Sequence, residues 1–164
     1  MKQAATKRYR VIQWATGTVG KVAIRHFADT PHFELVGTLV TNPKKVGKDA
    51  GEIAKIGPIG VIATDDVEVI VAMEADCVHF APSVEDVPMM CRLLRSGKNV
   101  VTPLGPYYPH GRFAQQLQML DEAAREGGVS FHGCGIHPGF AGDLLALTLA
   151  RIMNRIDHIH LYET

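Results

Sequence analysis

The sequence has no excess of either charge. Seventeen Lys and Arg offset seventeen Asp and Glu, and the isoelectric point is near 7.1. That balance offers nothing to a polyanion, so nucleic acid and anionic membrane are set aside as partners. Long apolar runs are missing too: none approaches the ~18 residues of a membrane span, and residues 1–10 are polar and basic without the apolar stretch of an export signal. Cysteine is scarce. Cys77, Cys91 and Cys134 stand far apart with no C-x-x-C pair, which excludes a disulfide framework and points to reduced thiols in the cytoplasm. His132, Cys134 and His137 match no structural zinc spacing, and no metal site is expected. What remains is the balance of a globular domain, 46% apolar against 21% charged, in 164 residues that suffice for one real core.

The stretch VIQWATGTVGK, residues 11–21, organises the rest. An apolar strand runs into glycines, and the glycines open an amphipathic helix. A pyrophosphate fits such a turn, because backbone N–H groups at a helix N-terminus attract negative charge and a side chain at Gly17 would push the phosphate away. Gly17 and Gly20 meet two of the three glycine requirements of G-x-G-x-x-G, and Ala15 stands where the first would be. Trp14, Ala15, Gly17, Thr18, Val19 and Gly20 are therefore the first cofactor-binding candidates, with Thr18 and Val19 offering N–H groups. The alternative is an ordinary strand-to-helix turn with glycines for close packing.

Downstream, strands and helices alternate. Strands are expected at residues 9–14, 33–41, 60–64, 75–81, 99–102 and 129–133, with a short helix at 50–54 in the connection after the second. Val19, Val22, Ala23 and Phe27 form the apolar face of the first helix. Asp65 is the expected cap of a helix reaching residue 73, and Ser83-Val84-Glu85-Asp86 reads as a capping box before the stripe Val87, Met90, Cys91 and Leu94, which ends at Gly97. Phe113, Leu117, Leu120 and Ala124 face inward from the next helix. Such alternation implies an α/β fold, a doubly wound parallel sheet of right-handed βαβ units, with the glycine turn after its first strand.

Position along this sheet singles out further residues. A carboxylate at the end of the second strand would hydrogen-bond a ribose 2′-OH and repel a 2′-phosphate; Thr41 and Asn42 stand there instead, with Lys44 and Lys45 behind them. NADP is the expected cofactor, with NAD possible. Either lysine alone reads equally as a solvated loop charge. Ala81, Pro82 and Ser83 follow the fourth strand, and Thr102 and Pro103 the fifth, so they border the nicotinamide side; Ser83 also suits a helix cap. His137, in the Gly/Pro turn after the sixth strand, is the candidate catalytic residue, because an imidazole of ordinary pKa near ~6.5 moves protons at neutral pH. A hinge histidine bonded to backbone is the competing reading. Tyr107 and Tyr108 are similar candidates. His79, inside a strand, and His158 and His160 are read as structural.

With these motifs placed, the chain resembles the N-terminal domain of the dihydrodipicolinate reductase-like oxidoreductases, most closely the branch of 2,4-diaminopentanoate dehydrogenase and the native amine dehydrogenases. The carrying segments are RVIQWATGTVGK (10–21), VTNPKKVGKDAGE (40–52), FAPS (80–83), GKNVVT (97–102) and GIHPGFAGD (135–143), within a similarity spanning residues 8–164. The resemblance implies a Rossmann fold and NAD(P)-dependent hydride transfer to or from a C=N or C=O substrate. It also implies a second domain that supplies the substrate pocket and the oligomer interface. Amine dehydrogenases of this branch are similar in carrying a glutamate just after the fifth strand; residues 102–108 here, TPLGPYY, hold no carboxylate, which counts against amine chemistry.

The domain reading is a frayed start over residues 1–8, a dinucleotide-binding domain over 9–141, and, over 142–164, the truncated start of a substrate and oligomerisation domain. Leu144, Leu145, Leu147, Leu149, Ile152 and Met153 make a helix at 142–154 apolar nearly all round, which implies burial on several sides, and residues 156–164 alternate as a strand. Self-association is expected from that apolar surface. The second functional reading is a non-catalytic NADP-binding module, a regulatory or truncated domain without a complete substrate site.

Overall fold

The fold is that of a computed structural model, in which residues 7–104 and 111–162 are described. The first strand, β1 (Tyr9–Trp14), is buried from Val11 onward. Val11, Ile12 and Trp14 are apolar, as suits a strand in the middle of a parallel sheet covered by helices on each side, and Gln13 is the buried polar exception. From it the chain runs through α1 (Thr18–Asp29) to β2 (Phe33–Leu39), then through α2 (Ala50–Ala54) to the two-residue β3 (Ala63–Thr64). After α3 (Val67–Ala72) it crosses back to β4 (Cys77–Phe80) on the other side of β1 and continues through α4 (Val87–Arg95), β5 (Asn99–Thr102), α5 (Ala114–Gly127) and β6 (Phe131–Gly133). The sheet order is β3-β2-β1-β4-β5-β6 and every pair is parallel. This is the doubly wound order, whose strand direction of travel reverses between β1 and β4.

Two clusters of apolar side chains hold the layers together. Ile12, Val78, Phe80 and Val100 of the sheet meet Met90, Leu93 and Leu94 of α4 and Leu120 of α5. The smaller cluster joins Ile24 of α1 to Leu35 and to Ala50 and Ala54 of α2. The expected stripe of α4 is buried in full, and Gly97 follows that helix with φ +82°, the left-handed turn that a glycine adopts without strain.

Several expectations are corrected. The face of α1 that packs inward is Gly20 and Ile24, with Phe27 of the expected set packed beside them and Ala23 half-buried, whereas Val19 and Val22 are half exposed; the tight approach of Gly20 to β1 sets the rotation of the helix. The cap of α3 is Asp66, not Asp65, because Thr64 Oγ1 accepts the Asp66 N–H and carries the turn one residue further. The cap of α4 is Asp86, whose carboxylate accepts from Met89 N, and not Ser83. A helix begun at Ser83 would put Pro88 in its interior, where the ring removes a donor and clashes with the preceding turn; begun at Asp86, it keeps Pro88 in the first turn. The strands β2, β3, β4 and β6 are shorter than the apolar runs that contain them.

Past β6, residues Ile136–Leu145 form a π-helical coil that tightens into the short α6 (Ala146–Ala150). The expected strand is absent over residues 156–162. A lone extended segment has no ladder to join, and no sheet edge pairs with it among the described residues. The apolar side chains of this region are exposed instead of buried: Leu144, Leu147, Leu149, Ile152 and Met153 all face outward.

Candidate functional site

The site starts with a strained turn. After Trp14, the Ala15 N–H still donates to Leu39 O at 3.0 Å, but Ala15 itself turns with φ +71°. That conformation costs an L-residue roughly 1 kcal/mol and explains why a glycine is usual at this place. The Ala15 carbonyl, turned inward, accepts from Gln13 Nε2 at 2.8 Å. A Cβ on Gly20 would lie 2.1 Å from that carbonyl oxygen, so only glycine lets α1 pack there. Gly17, by contrast, faces open space: a Cβ there would meet nothing within 4 Å. Gly17 is also the N-cap of α1, with no side-chain cap and no acidic residue in the first turn. Gly17, Thr18 and Val19 are exposed. A positive helix end faces outward with its donors uncapped.

A cation closes one side of this turn. Past β2, Val40 N donates to Thr64 O, Thr41 and Asn42 lie exposed, and Asn42 Oδ1 caps the one-turn 3₁₀ helix Pro43–Lys45. That turn aims Lys45 back across the sheet edge, where its Nζ donates to Thr16 O at 2.8 Å and to Thr16 Oγ1 at 3.0 Å. Lys45 is thus half-buried and tied to the glycine turn, while Lys44 is exposed.

The other side is built from the ends of β4, β5 and β6, which share the carboxyl edge of the sheet with β1. Ala81 N donates to Trp14 O at 3.1 Å, so Ala81 and the half-buried Pro82 border the β1/β4 crevice, and Ser83 is exposed beyond them. The indole of Trp14 itself is buried against Phe80, ring centroids 5.3 Å apart; only the backbone of Trp14 belongs to the turn. Thr102 is fully buried and its Oγ1 accepts from Leu104 N, which shapes the exit of β5 beside Pro103. Thr102, Pro103 and Leu104 bring no carboxylate there; Tyr107 and Tyr108 lie outside the described residues. His137 is exposed just after β6, three strand spacings from β1, or roughly 14 Å at about 4.8 Å per strand. Its imidazole lies over Gly142, where a Cβ would come within 2.6 Å of Nδ1. Among the described residues no three His, Cys, Asp or Glu side chains gather as a metal site.

Sequence reasoning missed Gln13, Thr16 and the partner of His79. Gln13 is fully buried, and His79 Nδ1 lies 2.8 Å from its Oε1. The available signal was a polar residue in the middle of an otherwise apolar strand.

A central parallel sheet with this strand order, a glycine turn at its switch point and an uncapped helix start define a dinucleotide-binding domain of the Rossmann class. The narrower identity comes from comparison with known proteins: residues 11–102 match the model of the N-terminal domain of dihydrodipicolinate reductase, and the chain belongs to that family. An amine dehydrogenase of Streptomyces virginiae is 37% identical over 160 residues, covering 93% of this chain and 44% of that protein. A 4-hydroxy-tetrahydrodipicolinate reductase of Synechococcus elongatus is 28% identical over 156 residues, covering 93% and 56% respectively. Among solved structures, the amine dehydrogenase from Mycobacterium smegmatis superposes with a TM-score of 0.79 at 25% identity, covering 91% of this chain and 45% of that one. The chain spans about half the length of the curated relatives it matches.

Proposed function

We propose that this chain is the cofactor-binding part of an NAD(P)-dependent oxidoreductase that moves hydride between nicotinamide and a C=N or C=O substrate. The observation that carries the reading is the turn at residues 15–20: open at Gly17, uncapped at the start of α1, and flanked by Lys45. The residues fit the group. Gly17, Thr18, Val19 and Gly20 would hold the pyrophosphate, and Thr41, Asn42 and Lys45 the adenosine ribose. Ala81, Pro82, Thr102 and Pro103 would border the nicotinamide. The bound dinucleotide supplies the hydride chemistry; the protein orients it and excludes water. NADP is the preferred form, because no carboxylate follows β2 and Lys45 supplies a positive charge within reach of the same turn. The redox class draws support from two relatives of different name, an amine dehydrogenase and a 4-hydroxy-tetrahydrodipicolinate reductase.

His137 is proposed as the group that donates a proton to the substrate or polarises it, since it stands at the carboxyl edge of the sheet after β6. Residues 142–164 are proposed to belong to a separate substrate- and assembly-forming region and to drive self-association. Leu144, Leu147, Leu149, Ile152 and Met153, close together in the chain, are all more than half exposed, and clustered exposed apolar side chains mark interaction surfaces. No helix among the described residues is long and apolar enough to cross a membrane, and all three cysteines are free thiols; a cytoplasmic setting is proposed on the second of these facts.

Thermal unfolding with NADPH, NADP, NADH and NAD tests the central reading. A dinucleotide at one hundred times its Kd adds about 2.7 kcal/mol of stability, and NADPH is expected to give the largest rise in Tm. No rise with any of the four would refute dinucleotide binding, and a larger rise with NADH would reverse the NADP preference.

A further inference from the structure

Gln13 and His79 stand side by side in the register of β1 and β4, two residues before the strained turn. Gln13 Nε2 lies 3.0 Å from Trp14 O and 2.8 Å from Ala15 O. Both are carbonyls and can only accept, so the amide nitrogen must face them and Oε1 must face His79. Oε1 is itself only an acceptor, and it lies 2.8 Å from His79 Nδ1. The proton of the imidazole is therefore fixed on Nδ1. Burial favours the uncharged ring, so one neutral tautomer is held in place beside the Phe27 ring, nearly perpendicular to it with centroids 6.1 Å apart.

This chain of bonds ends on the one backbone carbonyl that the turn needs to hold inward. Ala15 has left-handed geometry that glycine adopts freely and alanine does not. Gly20 completes the arrangement, since a Cβ there would lie 3.0 Å from Gln13 Nε2 as well as 2.1 Å from Ala15 O. We infer that Gln13, fixed by His79, is a positioning residue that holds Ala15 in its left-handed turn and so presents the Gly17 to Gly20 backbone to the dinucleotide pyrophosphate, replacing the freedom that a glycine at position 15 would have given. Gln13 is fully buried and acts through the Ala15 carbonyl. The inference rests on the dinucleotide-binding reading for its effect on affinity, and on the free protein for its effect on the turn.

The experiment is a double-mutant cycle in the full protein with Gln13→Leu, Gln13→Glu and Ala15→Gly. Gln13→Glu keeps the shape but loses both donors when ionised and one of the two when protonated. Either Gln13 variant is expected to weaken NADPH binding about tenfold in the Ala15 protein and less than about twofold in the Ala15→Gly background, because glycine takes up the turn without a brace. The Tm of the free protein should follow the same pattern, with a drop that Ala15→Gly largely cancels. Equal losses in both backgrounds, or none in either, would overturn the brace and leave Gln13 as an ordinary core residue. If the unaltered protein binds no NADPH while the Tm coupling is present, dinucleotide binding falls and the brace stands.

Discussion

Helix α1 and helices α2, α3 and α4 begin in opposite ways. Asp49 accepts from Gly51 N at 2.7 Å, Asp66 from Glu68 N at 2.9 Å and Asp86 from Met89 N at 3.0 Å, so each of these three helices has a first-turn donor satisfied by its own sequence. Helix α1 starts on Gly17, with no side-chain cap and no acid in its first turn. A cap contributes about 1 kcal/mol, and three helices of one domain use it. Helices α5 and α6 also lack a side-chain cap, but each continues directly from a preceding helical turn, Gly111–Phe113 and Ile136–Leu145; α1, at the switch point of the sheet, starts straight out of a strand and leaves its donors to solvent or to an anion. The contrast separates helix starts whose donors a side chain satisfies from the one proposed to offer its donors to a ligand, within a single fold and under the same solvent.

Four substitutions break or sharpen that contrast. The largest effect is expected at Gly20: Gly20→Ala drives a Cβ into the Ala15 carbonyl, and urea unfolding should show a loss of about 3 kcal/mol together with loss of NADPH binding. Unaltered stability would mean that α1 does not approach β1 this closely. Next is Gly17→Asp, which gives α1 the cap that its neighbours have. The site is open and its φ of −69° suits any residue. The free protein should gain about 0.3 kcal/mol, while NADPH binding falls about 100-fold because a carboxylate now occupies the anion's place. A variant that is more stable and binds equally well would contradict the functional half of the contrast.

Asp49→Ala is expected to cost about 2 kcal/mol with NADPH affinity per folded molecule unchanged. The Asp49 carboxyl also accepts from Ile59 and Gly60, and so ties the loop after α2 to its start. Burial raises the carboxyl's pKa, but the hydrogen bonds from Ile59, Gly51 and Gly60 outweigh it and hold the pKa below the ordinary 3.8. A group with a depressed folded pKa gives its full stability above the unfolded value, near ~3.9, and loses it as pH falls through the folded value. Asp49→Ala should therefore remove part of the acid-induced loss of stability below about pH 4. The smallest effect is Asp86→Ala, about 1 kcal/mol by urea unfolding with NADPH binding intact. Loss of binding in that variant would erase the distinction between the two kinds of helix start.

Much of this was legible in the sequence, and for local reasons. The bounds of β1, the open Gly17, the short α2 and the left-handed Gly97 follow from apolar runs, glycines and caps a few residues apart. Features that depend on distant partners were not legible. Lys45 and Thr16 are 29 positions apart and meet only because β2 and β1 are neighbours; Gln13 and His79 are 66 apart and meet only across β1 and β4. The apolar spacing of α1 finds Phe27, which packs against the core, but not the exposure of Val19 and Val22, because Gly20 carries no apolar signal although its missing side chain sets the helix rotation. Beyond β6 the apolar pattern implies burial, yet Leu147 and Ile152 are exposed, because side-chain type alone does not say what, if anything, packs on a helix.

The most direct measurement is amide chemical-shift mapping of NADPH binding by NMR. The account predicts that the largest perturbations fall on the backbone N–H groups of Gly17, Thr18, Val19 and Gly20, with those of Gly51, Glu68 and Met89, already bonded to aspartates, nearly unmoved. Perturbations spread over the capped helix starts, or centred away from the Gly17 turn, would contradict it.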